Sequence, residues 1–274
     1  ADASGRATEA DWERWRDVDV VVGTANSLSS GYPGVKRVPP DLFDLVLFDE
    51  AQHLPARTWT AILQEAHARA ALFTATPFRR DRKHLPGTPV FAYSLAQAMH
   101  DGIYAPIDFV PVTVAEGENA DQVLARQAAA RLRAPEHHQA GSRLLVRAER
   151  VADAEALVGV YEGAGIPLGL VVGTSSPRTV RKTLERVRTG DLLGFVCVGA
   201  LVEGFDFPAL KVAAYHAPHR NLASTLQFIG RLARVTGARG ELLAIPAMIE
   251  GETRELYRED IAWRELLPQI TDAA

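Results

Sequence analysis

The 274-residue sequence contains little cysteine and no long apolar run, and both shortages restrict the classes of protein to which it can belong. Its single cysteine, Cys197, has no second cysteine for an internal disulfide, which excludes a disulfide-stapled secreted scaffold. No stretch approaches the roughly 20 apolar residues of a membrane span, and no basic start precedes an apolar core as in a secretory signal. We therefore expect a cytoplasmic protein without a membrane partner.

The sequence also lacks an excess of charge of either sign. Its net charge is −4, and no basic tail indicates a nucleic-acid partner by itself. A nucleic acid would have to bind in a local groove, through backbone amides and a few arginine side chains. The histidines have no cysteine or carboxylate at the spacing of a metal site, so we interpret them as structural or exposed.

The composition is that of an ordinary globular protein, with 47% hydrophobic and 23% charged residues. The length suits two domains, which we place at residues 1–105 and 106–274. Beyond residue 105, short apolar runs alternate with amphipathic stretches, which predicts an α/β fold with parallel sheets. Predicted elements include helices over Ala120–Arg133, Val151–Gly163 and Leu222–Arg234, and a strand over Gly194–Val198.

The most informative stretch is the apolar run Leu45–Phe48, which ends in the adjacent carboxylates of Asp49 and Glu50. Such a short run predicts a buried strand, and the carboxyl ends of strands are where open α/β sheets hold ligands. One carboxylate there can bind Mg²⁺ while its neighbour orients or deprotonates an attacking water, a division of labour that suits phosphoryl transfer. Taken alone, the pair is explained more simply as a strand followed by a polar turn.

Three further motifs follow this acid pair along the chain. They are Thr74-Ala75-Thr76-Pro77, Glu203-Gly204-Phe205-Asp206 and Gln227-Phe228-Ile229-Gly230-Arg231-Leu232-Ala233-Arg234. Together with Asp49-Glu50-Ala51-Gln52 they resemble, in order and spacing, the motifs of superfamily-two DEAD/DEAH-type helicases, which are nucleic-acid-dependent ATPases. Because Arg79-Arg80-Asp81 follows the second motif, the chain is most similar to the branch of restriction-subunit-like and repair-type DNA helicases and translocases.

The resemblance implies two RecA-like domains, the first incomplete at its N-terminus, with ATP and Mg²⁺ as cofactors at the cleft between them. It implies that Asp49 coordinates Mg²⁺, that Glu50 is the general base, and that Arg231 and Arg234 are arginine fingers. The two arginines are three residues apart, so a helix would present both on one face, although such a pair is ordinarily a solvated stripe. Further residues implied in ATP binding and coupling are Gln52, Thr74, Thr76, Gly204, Asp206 and Gln227.

Four other residues are candidates for binding nucleic acid, with DNA expected ahead of RNA. Thr24 and Asn26 follow the apolar run Val20–Gly23, which we predict to be a strand, and their short polar side chains can reach phosphate oxygens. Arg147 and Thr174 lie at or just after the ends of two later predicted strands. For Thr24 and Asn26, a polar turn after a strand is an equally good explanation. For Arg147 and Thr174, a capping or surface role is the simpler explanation.

One element that the resemblance requires is absent from the sequence. The phosphates of ATP are cradled by a Gly-rich loop with Lys followed by Ser or Thr, and no lysine of this sequence follows a glycine. The chain also begins with Ala1 rather than Met. We therefore expect it to be the C-terminal portion of a longer ATPase, with the missing P-loop segment in the same chain or in a partner chain.

Three functions stay open on the sequence. The first is part of an ATP-dependent helicase or translocase, which would hydrolyse ATP poorly or not at all without the missing loop. The second is a non-catalytic helicase-like module that binds nucleic acid or acts as a scaffold, and the third is one half of a split ATPase. The presence of Glu50, Arg231 and Arg234 favours the first over the second, because a silent module has no need of these catalytic groups.

Overall fold

The computed structural model describes residues 5–51, 57–74, 86–88, 90–93, 95–198, 207–217, 228, 230–235 and 237–248. The chain divides into two compact units, Ala1–Val90 and Phe91–Ala274. This division precedes the expected boundary at residue 105, because the segment before that boundary packs on the second unit. Tyr104 lies against the core of that unit, and the Ala105 N–H donates to the Ala233 carbonyl at 2.6 Å.

The described part of the first unit combines short helices with a two-stranded parallel sheet. Leu45 pairs with Arg69 in this sheet. The first helix begins where its capping residues predict, because the Thr8 hydroxyl accepts from the Asp11 N–H and the Asp11 carboxylate accepts from the Thr8 N–H. The elements are α1 (Glu9–Trp15), α2 (Ala25–Leu28), β1 (Leu45–Phe48), α3 (Arg57–Glu65) and β2 (Arg69–Leu72).

Two expectations for the first unit are wrong. The apolar run Val20–Gly23 forms no strand, because no described strand pairs with it, and the Val22 side chain is 93% exposed. The central strand β1 is buried on one face only. Phe48 is buried, whereas Leu45 and Leu47, which alternate with the inward-facing residues, are 53% and 61% exposed.

The second unit is built on a six-stranded parallel sheet with the strand order β3-β8-β7-β4-β6-β5. The predicted parallel α/β fold is therefore confirmed. Its strands are β3 (Asp108–Pro111), β4 (Arg143–Ala148), β5 (Leu168–Val171), β6 (Gly194–Val198), β7 (Leu210–Tyr215) and β8 (Glu241–Ala244). Its described helices are α4 (Leu95–His100), α5 (Ala120–Arg133), α6 (Pro135–Gln139), α7 (Val151–Gly163) and α8 (Pro177–Thr189).

Two apolar layers cover the faces of this sheet. On one face, Leu144 and Val146 pack with residues of α5 and α7. On the other face, Leu145, Cys197 and Tyr215 pack with residues of α8 and with Phe228 and Leu232. The helical residues 230–232 therefore lie on the same side of the sheet as α8. Among the described helices, none has both the length and the apolar composition that crossing a membrane requires.

A buried ionic cluster joins α5, α6 and β8 on the second unit. Glu241 is buried and accepts a hydrogen bond from Arg131 Nε at 2.6 Å, with a second contact from Arg131 Nη2. His137 Nε2 lies 3.3 Å from the same carboxylate. Burial by itself would raise the pKa of Glu241, but the hydrogen bonds from Arg131 and His137 outweigh it and lower the pKa to about 2.

This cluster predicts an acid-sensitive stability. Because the folded-state pKa of Glu241 is lower than its ordinary value of 4.5, the stabilisation is present above pH 4.5 and is lost as the pH falls toward 2. We expect a loss of about 3 kcal/mol in the free energy of unfolding over that range. Urea unfolding at several pH values measures it. Glu241→Gln should flatten the profile, Glu185→Gln on the exposed face of α8 should not, and equal profiles for both variants would contradict the assignment.

Candidate active site

The acid pair stands at the carboxyl end of β1, as the sequence predicts. Asp49 is exposed and its Oδ1 accepts the backbone N–H of Glu50 at 2.9 Å. Glu50 has a backbone φ of 51°, in the left-handed region that side chains other than glycine rarely adopt. Such a conformation costs roughly 1–3 kcal/mol and is concentrated at functional sites. The strain at Glu50 therefore supports a functional role for this turn.

The exit of β2 lies beside the acid pair. The Phe73 N–H donates to the Phe48 carbonyl and the Ala51 N–H donates to the Phe73 carbonyl, each at 2.8 Å. These two backbone bonds bring Thr74, the next residue, close to the turn that carries Asp49 and Glu50. The coupling residues Gln52 and Thr76 lie outside the described residues, as do Gly204, Asp206 and Gln227 of the second unit.

An exposed carboxylate at a strand end suits Mg²⁺, which binds through one or two carboxylates together with water and substrate phosphates. Asp49 meets that requirement. Among the described residues, no cluster of three or more His, Cys, Asp or Glu side chains could hold a metal by itself. A metal held by Asp49 could complete its coordination with water and with the phosphates of a bound nucleotide.

Thr24 and Asn26 are placed differently from each other. The Thr24 hydroxyl caps α2 by accepting the Ser27 N–H at 3.3 Å, and it lies 3.0 Å from the Ser27 hydroxyl. The Thr24 side chain is therefore a helix cap, where the sequence offered only a polar turn as the alternative to nucleic-acid binding. Asn26 lies within α2 and is exposed. It is the more available of the two for a phosphate contact.

The two arginines of the last motif do not share a helix. Arg231 is helical, but the helical residues end at Leu232 and Arg234 forms an antiparallel bridge with Tyr104. The Val235 N–H also donates to the Ile103 carbonyl at 3.3 Å. Pairing with residues 103–105 ends the helix early, so the expectation that one helix face presents both guanidinium groups is wrong.

A buried lysine, which the sequence analysis missed, holds this helix end. Lys211 on β7 is 1% exposed, and its Nζ donates to the Leu232 carbonyl at 3.4 Å and to the Arg234 carbonyl. A cation is favourable at the last carbonyls of a helix. Burial, followed by the charge of Arg234, lowers the pKa of Lys211. The available signal was a lone lysine inside the apolar run Leu210–Tyr215.

The remaining nucleic-acid candidates also differ in accessibility. Thr174 is exposed in the turn after β5, where a strand of nucleic acid can reach it. Arg147, near the carboxyl end of β4, is only 4% exposed. A nucleic-acid backbone is a chain that binds along a surface, so the burial of Arg147 does not fit a direct contact with it.

Arg147 and Arg231 act on the same buried thiol. Burial raises the pKa of Cys197 to about 12, and the charges of Arg147 and Arg231 oppose this effect. The charge of Arg234 acts instead on Lys211, near the amino end of β7. The burial and raised pKa make Cys197 a structural thiol without nucleophilic character.

His216 holds the carboxyl end of β7 to two helices. Its Nε2 lies 2.9 Å from the Tyr161 hydroxyl on α7, and its Nδ1 lies 2.7 Å from the Asp121 carboxylate on α5. The hydrogen bond from His216 lowers the pKa of Asp121, and burial raises that of Tyr161. The His216 N–H also donates to the Arg147 carbonyl at 3.1 Å, so this network fixes the sheet edge where Arg147 lies.

Comparison with known protein families finds a match in the second unit. Residues 125–236 match the family described as the helicase conserved C-terminal domain. The comparison with curated protein sequences found no significant match. The family match includes β4, β6 and β7 and extends through Arg231 and Arg234.

Solved structures of helicases share the fold. Saccharomyces cerevisiae Dbp5 bound to RNA and ADP BeF3 has a TM-score of 0.58 and 15% identity, over 81% of this chain and 59% of that chain. Mycobacterium smegmatis helicase Lhr bound to ssDNA and AMP-PNP has a TM-score of 0.55 and 18% identity, over 80% of this chain and 31% of that chain. The chain thus spans less than two thirds of either protein. It has the parallel-sheet fold of RecA-like helicase domains, and its second unit carries the match to the helicase conserved C-terminal domain.

Proposed function

We propose that the chain is part of an ATP-dependent helicase or translocase, in which ATP binds between two RecA-like domains and its hydrolysis drives movement along a nucleic-acid strand. The observation that carries this proposal is the acid pair at a parallel strand end, with Asp49 exposed and Glu50 partly buried, on a chain whose second unit matches the helicase C-terminal domain. Neither feature alone specifies an ATPase. Together they provide the groups that ATP hydrolysis needs: the two carboxylates from the first unit and the two arginines from the second.

The residues divide the chemistry among themselves. Asp49 would hold Mg²⁺, which when bound neutralises charge on the phosphates. Glu50 would accept a proton from the water that attacks the γ-phosphate. Arg231 and Arg234 would stabilise the charge that spreads over the phosphate oxygens in the transition state. Thr74, next to the acid pair, would couple ATP binding and hydrolysis to the second unit.

A phosphate-binding loop must come from outside residues 1–274, from the same chain or from a partner chain. The exposed apolar side chains of the first unit support this part of the proposal. Several large apolar side chains exposed on one small unit favour a surface that another segment covers. We propose that the covering segment carries the loop. The exposed side chains are Val20, Val22, Leu45, Leu47 and Phe73.

The nucleic acid is proposed to be DNA, which the resemblance to repair-type and restriction-subunit-like translocases favours. Exposed Asn26 on the first unit and exposed Thr174 on the second are the contact candidates that the structure leaves accessible. RNA is the alternative. Of the two similar solved structures, one is bound to RNA and the other to ssDNA.

ATP hydrolysis with and without single-stranded DNA or RNA tests this function. The 274-residue chain should release little phosphate alone. When it is joined to a segment with the phosphate-binding loop, the rate should rise and should increase further with DNA. A second candidate, a silent helicase-like module, is favoured by the absence of that loop from the sequence. It predicts nucleic-acid binding with no ATP hydrolysis in either form of the chain.

A further inference from the structure

The most unusual charged residue of the second unit is Arg147. It occupies the last position but one of β4, and it is 4% exposed. Its Nε and Nη1 atoms are buried and have no hydrogen-bond partner among the described residues. No carboxylate forms an ion pair with it in the part of the chain that the structure describes. An arginine in this condition is rare, because buried guanidinium groups are normally paired.

The two strand neighbours of Arg147 carry no charge that would compensate it. In the sheet register, Arg147 lies between Cys197 on β6 and Tyr215 on β7, so all three side chains share one face. The charge of Arg231 reaches the same thiol as that of Arg147. The Arg147 side chain therefore lies beside Cys197 at the carboxyl end of the central strands. This is the edge at which open α/β sheets bind ligands.

Another arginine of the same strand shows what a structural arginine looks like here. Arg143, at the amino end of β4, donates from Nε to the Val187 carbonyl at 2.9 Å and from Nη1 to the Gly141 carbonyl at 2.8 Å. Its donors are used by the fold. The Nε and Nη1 donors of Arg147 have no partner among the described residues. Burial of this charge therefore destabilises the folded protein, and no contact in the described part of the chain offsets it. Destabilising groups of this kind persist at functional sites, where a bound ligand pairs with them.

We propose that Arg147 binds a phosphate group at the carboxyl edge of the six-stranded sheet. Phosphate oxygens are strong charge-assisted acceptors, so a phosphate would satisfy the unpaired guanidinium donors of Arg147. The identity of the phosphate rests on the proposed function. Because Arg147 is 4% exposed, the end of a nucleotide suits this position better than a nucleic-acid backbone that lies along the surface. Arg147 thus joins Arg231 in the nucleotide site instead of contacting the strand.

The stability of the 274-residue chain tests phosphate binding without any requirement for ATP hydrolysis. We expect Arg147→Met to raise the urea midpoint in chloride, because it removes an unpaired buried charge. Pyrophosphate at matched ionic strength should raise the midpoint of the original chain with increasing concentration, and this shift should disappear in Arg147→Met. The control Arg143→Met should lower the midpoint and keep the pyrophosphate shift.

The outcomes separate this proposal from the proposed function. A lower midpoint for Arg147→Met, or a pyrophosphate shift that survives the substitution, would overturn the phosphate site and make Arg147 structural. An unphosphorylated single-stranded oligonucleotide should bind Arg147→Met as well as the original chain, and a clear loss of its affinity would assign the phosphate to the nucleic acid. A retained pyrophosphate shift, together with no ATP hydrolysis even after the chain is joined to a segment with the phosphate-binding loop, would preserve the site and reject the motor.

Discussion

Replacing Glu50 by glutamine is expected to abolish ATP turnover in the chain joined to its phosphate-binding segment, while ATP binding remains measurable. The amide keeps the size of the side chain but cannot accept a proton from the attacking water. Because Glu50 sits in a left-handed turn next to Asp49, the substitution leaves the position of the metal-binding carboxylate unchanged. Single-turnover phosphate release and fluorescent-nucleotide binding separate the two effects.

A control for this substitution is available on the same unit. Glu13→Gln changes an exposed carboxylate of α1 and should leave both turnover and ATP binding unchanged. If Glu50→Gln retained the turnover of the original chain, Glu50 would not be the base. The acid pair would then be the polar turn that the sequence alone also allows.

The second large effect is expected at Arg234. Arg234→Ala should lower turnover by ~10³-fold, which is the magnitude typical of an arginine finger. The backbone of this residue is held by the bridge to Tyr104 and by Lys211, so removing the side chain should not move the segment. The loss should therefore appear in kcat, with the stability of the second unit nearly unchanged.

Arg239→Ala provides the comparison for Arg234. Arg239 is a half-exposed arginine whose Nη2 lies 3.1 Å from the Asp108 carboxylate, and its loss should change stability slightly and turnover not at all. A near-normal rate for Arg234→Ala would leave Arg231 as the only candidate finger of this motif. It would also indicate that the segment around Arg234 has a structural role, which is to pair with Tyr104.

The parts of the fold that local sequence determines were predicted well. Helices α5 and α7 and strand β6 have the predicted limits, because their apolar spacing and flanking polar residues act within a few residues of the chain. The place of Asp49 and Glu50 at the end of β1 follows from the same kind of signal. The structure adds the left-handed turn at Glu50, which periodicity does not encode.

The errors arose where distant parts of the chain decide the outcome. Val20–Gly23 has the composition of a strand, but a strand exists only when a neighbour supplies hydrogen bonds. The helix expected through Arg234 ends early because residues 103–105 pair with the segment. The burial of Arg147 was likewise not predicted from the sequence. Its burial depends on strands β6 and β7, which are far from it in sequence.

The most direct test of the account is a distance measurement between the two units. Spin labels attached after Gln64→Cys on α3 and Arg181→Cys on α8 would occupy exposed positions, while the buried native Cys197 stays unlabelled. In the chain joined to its phosphate-binding segment, adding ATP and single-stranded DNA together should convert a broad distance distribution into a narrow one. A distribution that is the same with and without both ligands would contradict the claim that the acid pair and the arginines serve one ATP.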